Sequence, residues 1–251
     1  MRYFAEADAA YFRFKSFDRP TYERDRDVVA EYLRTLGDVA HIIFDITGNP
    51  GGFAVCWQDN IVSPFGGMCE SYTFLKRSPV NERFFFDNPR QDIRPISALP
   101  PEAERPDFVR DLGFTHFVRA QIQLPNGAFS GRRIDSQARR WVLTDQGTFS
   151  AADGLAAFCK RSGWATLVGR TTSGDGAVSL SSLGLAMIRL PNTGLLVMFS
   201  TSTAANADGT MNAAVGTAPD IASGRGESPL DTCLRVIATE RRRLKRLSGG
   251  E

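Results

Sequence analysis

Histidine is scarce in this chain: His41 and His116 are the two in 251 residues. Cysteine is sparse as well. Cys56, Cys69, Cys159 and Cys233 are the full set, and none sits in a C-x-x-C pair. That combination leaves no zinc-type spacing, so neither a metal nor a cofactor is expected. The thiols read as scattered buried residues, and a Cys56–Cys69 disulfide would require an oxidising compartment. Lysine is missing altogether between Lys160 and Lys245. No apolar run approaches the roughly 20 residues of a membrane span. The N-terminal MRYFAEADAAYFRFKSF carries charge throughout and does not read as a signal peptide, and the compartment stays unassigned. A formal net charge of +2 is too small to argue for nucleic acid or an acidic membrane surface. There is no internal repeat and no low-complexity segment.

What is present suits one large domain. The chain is 42% hydrophobic, enough for a sizeable core. AAYFRFKSF (9–17) reads as a strand. Residues 23–36 put Val28, Val29, Tyr32, Leu33 and Leu36 on one helical face. HIIFDI (41–46) is continuously apolar, as expected of a strand buried on both faces, and it ends in the sharp turn TGNPGG. The first 50 residues therefore predict β-α-β. From about 63 to 140 the pattern is irregular. That stretch includes the Pro- and charge-rich PRQDIRPISALPPEAERP and reads as an insertion, a candidate lid. Regularity returns with WVLT, a helix from Ser150, the strand WATLVG, and two strands, LAMIRL and LLVMFSTS, joined by the turn 191–194. Residues 226–251 predict an amphipathic helix with Leu234, Ile237 and Leu244 on one side and a basic end, RRRLKR, read as a solvated face. Alternation of strands and helices predicts α/β layers.

The residue that raises a question is Ser150, at the end of WVLTDQGTFS. Ser150-Ala151-Ala152-Asp153 is an S-x-x-D pattern, which approximates a capping box with Asp153 near the third helical position. The same geometry suits a nucleophile. A serine between strand and helix sits at a positive helix end, and the Ala151 N–H would point at a substrate carbonyl oxygen. The glycines of GNPGG could supply a further donor, because they free N–H groups and let other backbone approach.

Five blocks occurring in one order make a resemblance visible. HIIFDITGNPGG resembles the D-x-R-x-N-x-G-G segment of the C-terminal processing (tail-specific) serine peptidases. VLTDQGTFSAADGLAAF resembles their nucleophile motif, T-x-S-A-x-E. ATLVGRTTSGDGAV is similar to the segment that follows, G-x-x-T-x-G-K-G. LPNTGLLVMF and NADGTMNAAVGTAPDI resemble the closing strands and the end motif. The resemblance spans residues 10 to 221. It implies a crotonase-like, Clp-protease-like β-β-α core with a mixed sheet and flanking helices, over residues 1–225. It also implies hydrolysis of a peptide or protein substrate through a Ser150 acyl-enzyme, with Gly51, Gly52 and Ala151 holding the oxyanion. No segment resembling the PDZ module of those relatives is expected here, and the oligomeric state is open.

The sequence departs from the pattern at one chemically decisive place. The family's usual base is a lysine 25 residues after the serine, and here that position is Asp175. An ordinary Asp, with a pKa of about 3.9, is a weak base at neutral pH and needs desolvation to improve. Asp175 is expected to act as the base or to help position it. His41 reads as a structural residue, and His116 matches no motif. Asp153 stands for the family's Glu and is one carbon shorter. Two readings follow: an endopeptidase, or a protein that binds extended peptide by strand addition without turnover. Acyl-CoA chemistry of the crotonase type shares the fold but none of the matched motifs.

Overall fold

The computed structural model describes residues 1–25, 27–79, 82, 92–101, 106–124, 134, 136–176, 185–200 and 202–248. The strands are β1 (Arg2–Phe4), β2 (Ala9–Arg13), β3 (His41–Asp45), β4 (Gly67–Leu75), β5 (Ile93–Pro95), β6 (His116–Leu124), β7 (Arg139–Thr144), β8 (Thr166–Gly169), β9 (Leu185–Arg189), β10 (Leu196–Ser200), β11 (Ser202–Ala204) and β12 (Ile221–Ala222). The helices are α1 (Arg19–Asp25), α2 (Val28–Leu36), α3 (Ala54–Trp57), α4 (Asp107–Asp111), α5 (Ala151–Ser162), α6 (Asn212–Val215) and α7 (Pro229–Ser248). α3 runs on into a wider π turn at Gln58–Val62.

A six-stranded sheet in the order β1-β2-β3-β7-β8-β12 forms the centre. It is parallel from β2 to β12, with β1 antiparallel at the edge. The parallel strands are buried on both faces, which is why 41–46 carries no polar alternation. Phe12, Ile42, Phe44, Val142 and Leu167 pack on one side with residues of α2, α3 and α5. Tyr11, Ile43, Trp141, Leu143 and Val168 pack on the other with Cys233 and Ile237 of α7. The expected face of α2 is seen: Val29 and Leu33 are buried, and Val28, Tyr32 and Leu36 pack beside them.

Several expectations need correcting. The span 63–140 is not irregular where it is described: β4 and β6 pair antiparallel over nine residues each, in a four-stranded sheet ordered β11-β4-β6-β5. Their alternation was hidden because both faces carry hydroxyl, charged and apolar residues in mixture, as in Cys69-Glu70-Ser71-Tyr72-Thr73. The strand predicted over 9–17 stops at Arg13. Leu244 is exposed, since α7 buries only its first half against the sheet. All four cysteines are free and buried. Cys56 Sγ donates to Phe17 O at 3.1 Å, and Cys69 Sγ lies 3.6 Å from Glu70 O, so neither bonds to the other.

Candidate active site

The site forms where the parallel strands β3, β7 and β8 end, because three loops leave the sheet side by side there. Short hydrogen bonds zip the loops together. Gly48 N–H donates to Asp145 Oδ1 at 2.8 Å, Phe149 N–H to Asn49 O at 3.0 Å and Thr148 Oγ1 to Ile46 O at 3.0 Å. The third loop joins through Ser173 N–H to Thr148 O at 2.8 Å and Ser150 N–H to Gly174 O at 3.0 Å.

Ser150 occupies the turn between β7 and α5 with φ 53° and ψ −124°. A serine gains nothing locally from this conformation, and such strain costs of order 1–3 kcal/mol. The capping box does not form. The Ser150 hydroxyl makes no capping bond and no other hydrogen bond among the described residues. It caps α5 only through its backbone, with Gly154 N–H donating to Ser150 O at 2.9 Å. The strand–tight turn–helix arrangement presents the hydroxyl at the positive end of a twelve-residue helix.

Gly51 lies against this turn and Gly52 against Phe17 and Asp18, both in backbone conformations open to glycine, φ 96° and 130°. A Cβ on Gly51 would stand 2.8 Å from both Ala151 N and Ser150 Cβ. Gly51 was expected to offer its N–H to an oxyanion. That N–H is instead donated to Asn49 Oδ1 at 2.8 Å. The N–H groups of Gly52 and Ala151 have no acceptor among the described residues. Asn49 is fully buried and also bonds Phe14 O through Nδ2 at 3.0 Å, so it holds the glycine turn in place.

Asp175 is brought next to Ser150 by the Gly174 carbonyl bond. Its φ of 64° is left-handed, which Asp tolerates better than most residues. Burial, and then the negative charge of Asp153, raise its carboxyl above the usual range. No lysine or arginine forms an ion pair with it among the described residues, and its carboxylate has no hydrogen-bond partner there.

Asp153 does not cap the helix. It is fully buried and receives Thr172 Oγ1 at 2.5 Å and Gly176 N–H at 2.9 Å. Thr217 N–H in turn donates to Thr172 Oγ1 at 2.7 Å, and Asn212 Oδ1 lies 3.2 Å from Gly176 N. This network clamps the Asp175 loop onto the first turn of α5. The sequence offered Asp153 as a cap; nothing in the spacing of Thr172, Asn212 and Thr217 signalled that they would meet.

The histidines lie elsewhere. His41 opens β3, about 13 Å along the strand from Asp45 at ~3.3 Å per residue. Its Nδ1 faces Trp141 Nε1 at 3.3 Å, and burial and Arg139 lower its pKa. His116 begins β6 beside Thr115, where burial and Arg77 lower its pKa. Neither bonds Ser150. Among the described residues no group of three His, Cys, Asp or Glu is placed to hold a metal ion, and no helix is long and apolar enough to cross a membrane.

Comparison with known proteins agrees with this architecture. Peptidase family S41 matches residues 8–223, and the chain belongs to that family. The fold is the Clp-protease-like mixed α/β fold of solved structures. The photosystem II D1 C-terminal processing protease is similar at 20% identity and TM-score 0.52, over 92% of this chain and 46% of that one. Mature CPAF, solved in complex with lactacystin, is similar at 14% identity and TM-score 0.56, over 97% and 52%. A lipoprotein from Streptococcus agalactiae is similar at 13% identity and TM-score 0.55, over 96% and 71%. The chain thus spans about half the length of the D1 processing protease and of CPAF.

Proposed function

We propose that this chain is a serine-type endopeptidase acting on peptide or protein substrates. Ser150 Oγ attacks the scissile carbonyl, and its proton passes to the Asp175 carboxylate. The carbonyl oxygen, now negative, is held by the N–H groups of Ala151 and Gly52. Asp175 then gives the proton to the leaving amine; water attacks the Ser150 ester as Asp175 takes its proton, and Asp175 passes that proton to Ser150 Oγ as the ester C–O bond breaks and the acid product is released. Gly51 serves by allowing the close approach rather than by donating. The reading rests on one observation: Ser150 is held in a strained turn with its hydroxyl uncommitted, next to the Ala151 N–H, which has no acceptor among the described residues. A desolvated Asp175 beside Asp153 is a better proton acceptor than an exposed one.

A second reading, binding of extended peptide without turnover, is favoured by one feature. No base is hydrogen-bonded to Ser150 among the described residues. Catalytic hydrogen bonds often tighten only when substrate is bound, which keeps the first reading ahead.

Labelling with a fluorophosphonate, followed by intact mass, separates them. The expected result is one adduct on the wild type between pH 5 and 9, none on Ser150→Ala, and slower labelling of Asp175→Asn. A folded wild type that takes no adduct at any pH would overturn the endopeptidase reading.

A further inference from the structure

One hairpin keeps its apolar residues out of the core. β9 and β10 pair antiparallel, Met187 opposite Met198, and form a two-stranded sheet by themselves among the described residues. Both faces stand open. Met187 and Ile188 of β9 and Leu196, Val197, Met198 and Phe199 of β10 are 39–64% exposed. A lone two-stranded hairpin is marginal in water, and large apolar patches left open mark interaction surfaces. At roughly 200 Å² for a large side chain, these six leave about 600 Å² uncovered. One partner in a standard interface contributes about 800 Å².

The outer edge of β10 is open as well. Leu190 N–H donates to Leu195 O at 2.8 Å, which fixes the phase of the ladder. Groups alternate along an antiparallel pair. Val197 and Phe199 therefore turn their N–H and C=O toward β9, and Leu196, Met198 and Ser200 turn theirs outward. No described strand meets that edge. Natural edges are blunted by charge, proline or a bulge. Here residues 195–200 read LLVMFS, and Arg189, the one charged residue of 185–200, lies on β9.

We propose that the β10 edge is an interface with a second copy of this chain. An antiparallel strand can pair with itself about a two-fold axis, the commonest symmetry of oligomers. With the axis at Met198, Met198 faces Met198 of the second copy, and Leu196 faces Ser200 of the second copy. All three are outward-facing positions, so each facing pair exchanges two hydrogen bonds. Val197 then lies beside Phe199 of the second copy at the closer spacing, and a β-branched residue against an aromatic one stabilises a sheet. The two hairpins become one four-stranded sheet with β10 and its copy at the centre. The edge offers no charge for a charged partner to recognise, and the chain itself supplies a strand that fits it end to end. The inference does not depend on the reading of Ser150.

Sedimentation velocity of the full chain tests it. At roughly 50 µM, well above a micromolar Kd, the wild type should be dimeric. Met198→Lys sets like charges opposite each other at the axis and should weaken the dimer at least about tenfold, and Met198→Glu should do the same. An equimolar mixture of the two variants should restore dimers, because Lys then faces Glu. Met187→Lys should dimerise like the wild type, since its copies on the outer strands stand about 14 Å apart. A monomeric wild type, a dimer that Met198→Lys leaves intact, or charged variants that mixing does not rescue would overturn the inference. Should a charged variant not fold, Met198→Cys decides. Opposite Cα atoms in a hydrogen-bonded pair are about 5.5 Å apart, within disulfide range. The four native cysteines are buried, so mild oxidation with diamide should give a covalent dimer that dithiothreitol reverses. A folded Met198→Cys protein that yields no covalent dimer sinks the proposal.

Discussion

Gly51→Ala probes the join between the glycine turn and the nucleophile. A Cβ at this position would sit 2.7 Å from Phe149 O and 2.8 Å from Ala151 N and Ser150 Cβ, where ordinary contact begins at 3.4 Å. All three neighbours belong to backbone or to the first side-chain atom, so none can swing aside. The φ of 96° adds conformational strain for any residue with a Cβ. Left-handed backbone costs about 1–2 kcal/mol, and overpacking a closed site costs about 1–3 kcal/mol. The expected loss is thus about 2–5 kcal/mol, within the 5–15 kcal/mol that a folded domain has. The control is Gly113→Ala: φ is 68° there, but nothing lies within 4 Å, so only the strain is present. Urea denaturation of both variants gives the difference. Relief of the clash must push Ser150 and Ala151 away from Gly51 by several tenths of an ångström. The fluorophosphonate labelling rate should fall at least about tenfold, or 1.4 kcal/mol of barrier. A Gly51→Ala protein no less stable than Gly113→Ala, and labelled at the wild-type rate, would refute the packing argument.

Two further outcomes follow from the carboxylates. Asp153→Ala removes the acceptor of Thr172 Oγ1 and Gly176 N–H from a fully buried position. At about 1.5–3 kcal/mol for each bond to a charged group, chemical denaturation should show a loss of about 3–6 kcal/mol, partly restored in Asp153→Asn, which keeps one acceptor. An Asp153→Ala protein as stable as wild type would mean that the clamp on the Asp175 loop is idle. Asp175 has a folded-state pKa raised by burial and by Asp153. Its protonated form is the one the fold prefers, so stability from this group is full below the ordinary carboxyl value of 3.8 and is lost as pH rises through the folded value. Asp175→Asn, which tolerates the same left-handed φ, should therefore be more stable than wild type near pH 7 and equal to it near pH 3. Matched urea titrations across that range check it; equal stabilities throughout would contradict the shift.

Local pattern carried much of this protein. The continuous apolar run 41–46 specified a strand buried on both faces, because no other common element needs a short two-sided hydrophobic segment. The spacing of Val29 and Leu33 specified the packed side of α2 through the 3.6-residue period. Ser150, Ala151, Gly51, Gly52 and Asp175 were named from motif blocks; the loops at the strand ends set Gly51 against Ser150 and Ala151, and Ser150 N–H on the carbonyl of Gly174, the residue before Asp175. Other features depend on distance in the chain. β4 and β6 escaped notice because a strand in an antiparallel sheet with mixed faces has no clean alternation; only pairing across the 40 residues between Leu75 and His116 defines it. The same holds at the site. That Ser150 is strained rather than capped, that the Gly51 N–H is spent on Asn49, and that Asp153 clamps Thr172 and Gly176 instead of capping α5 are decided by which acceptors the fold delivers.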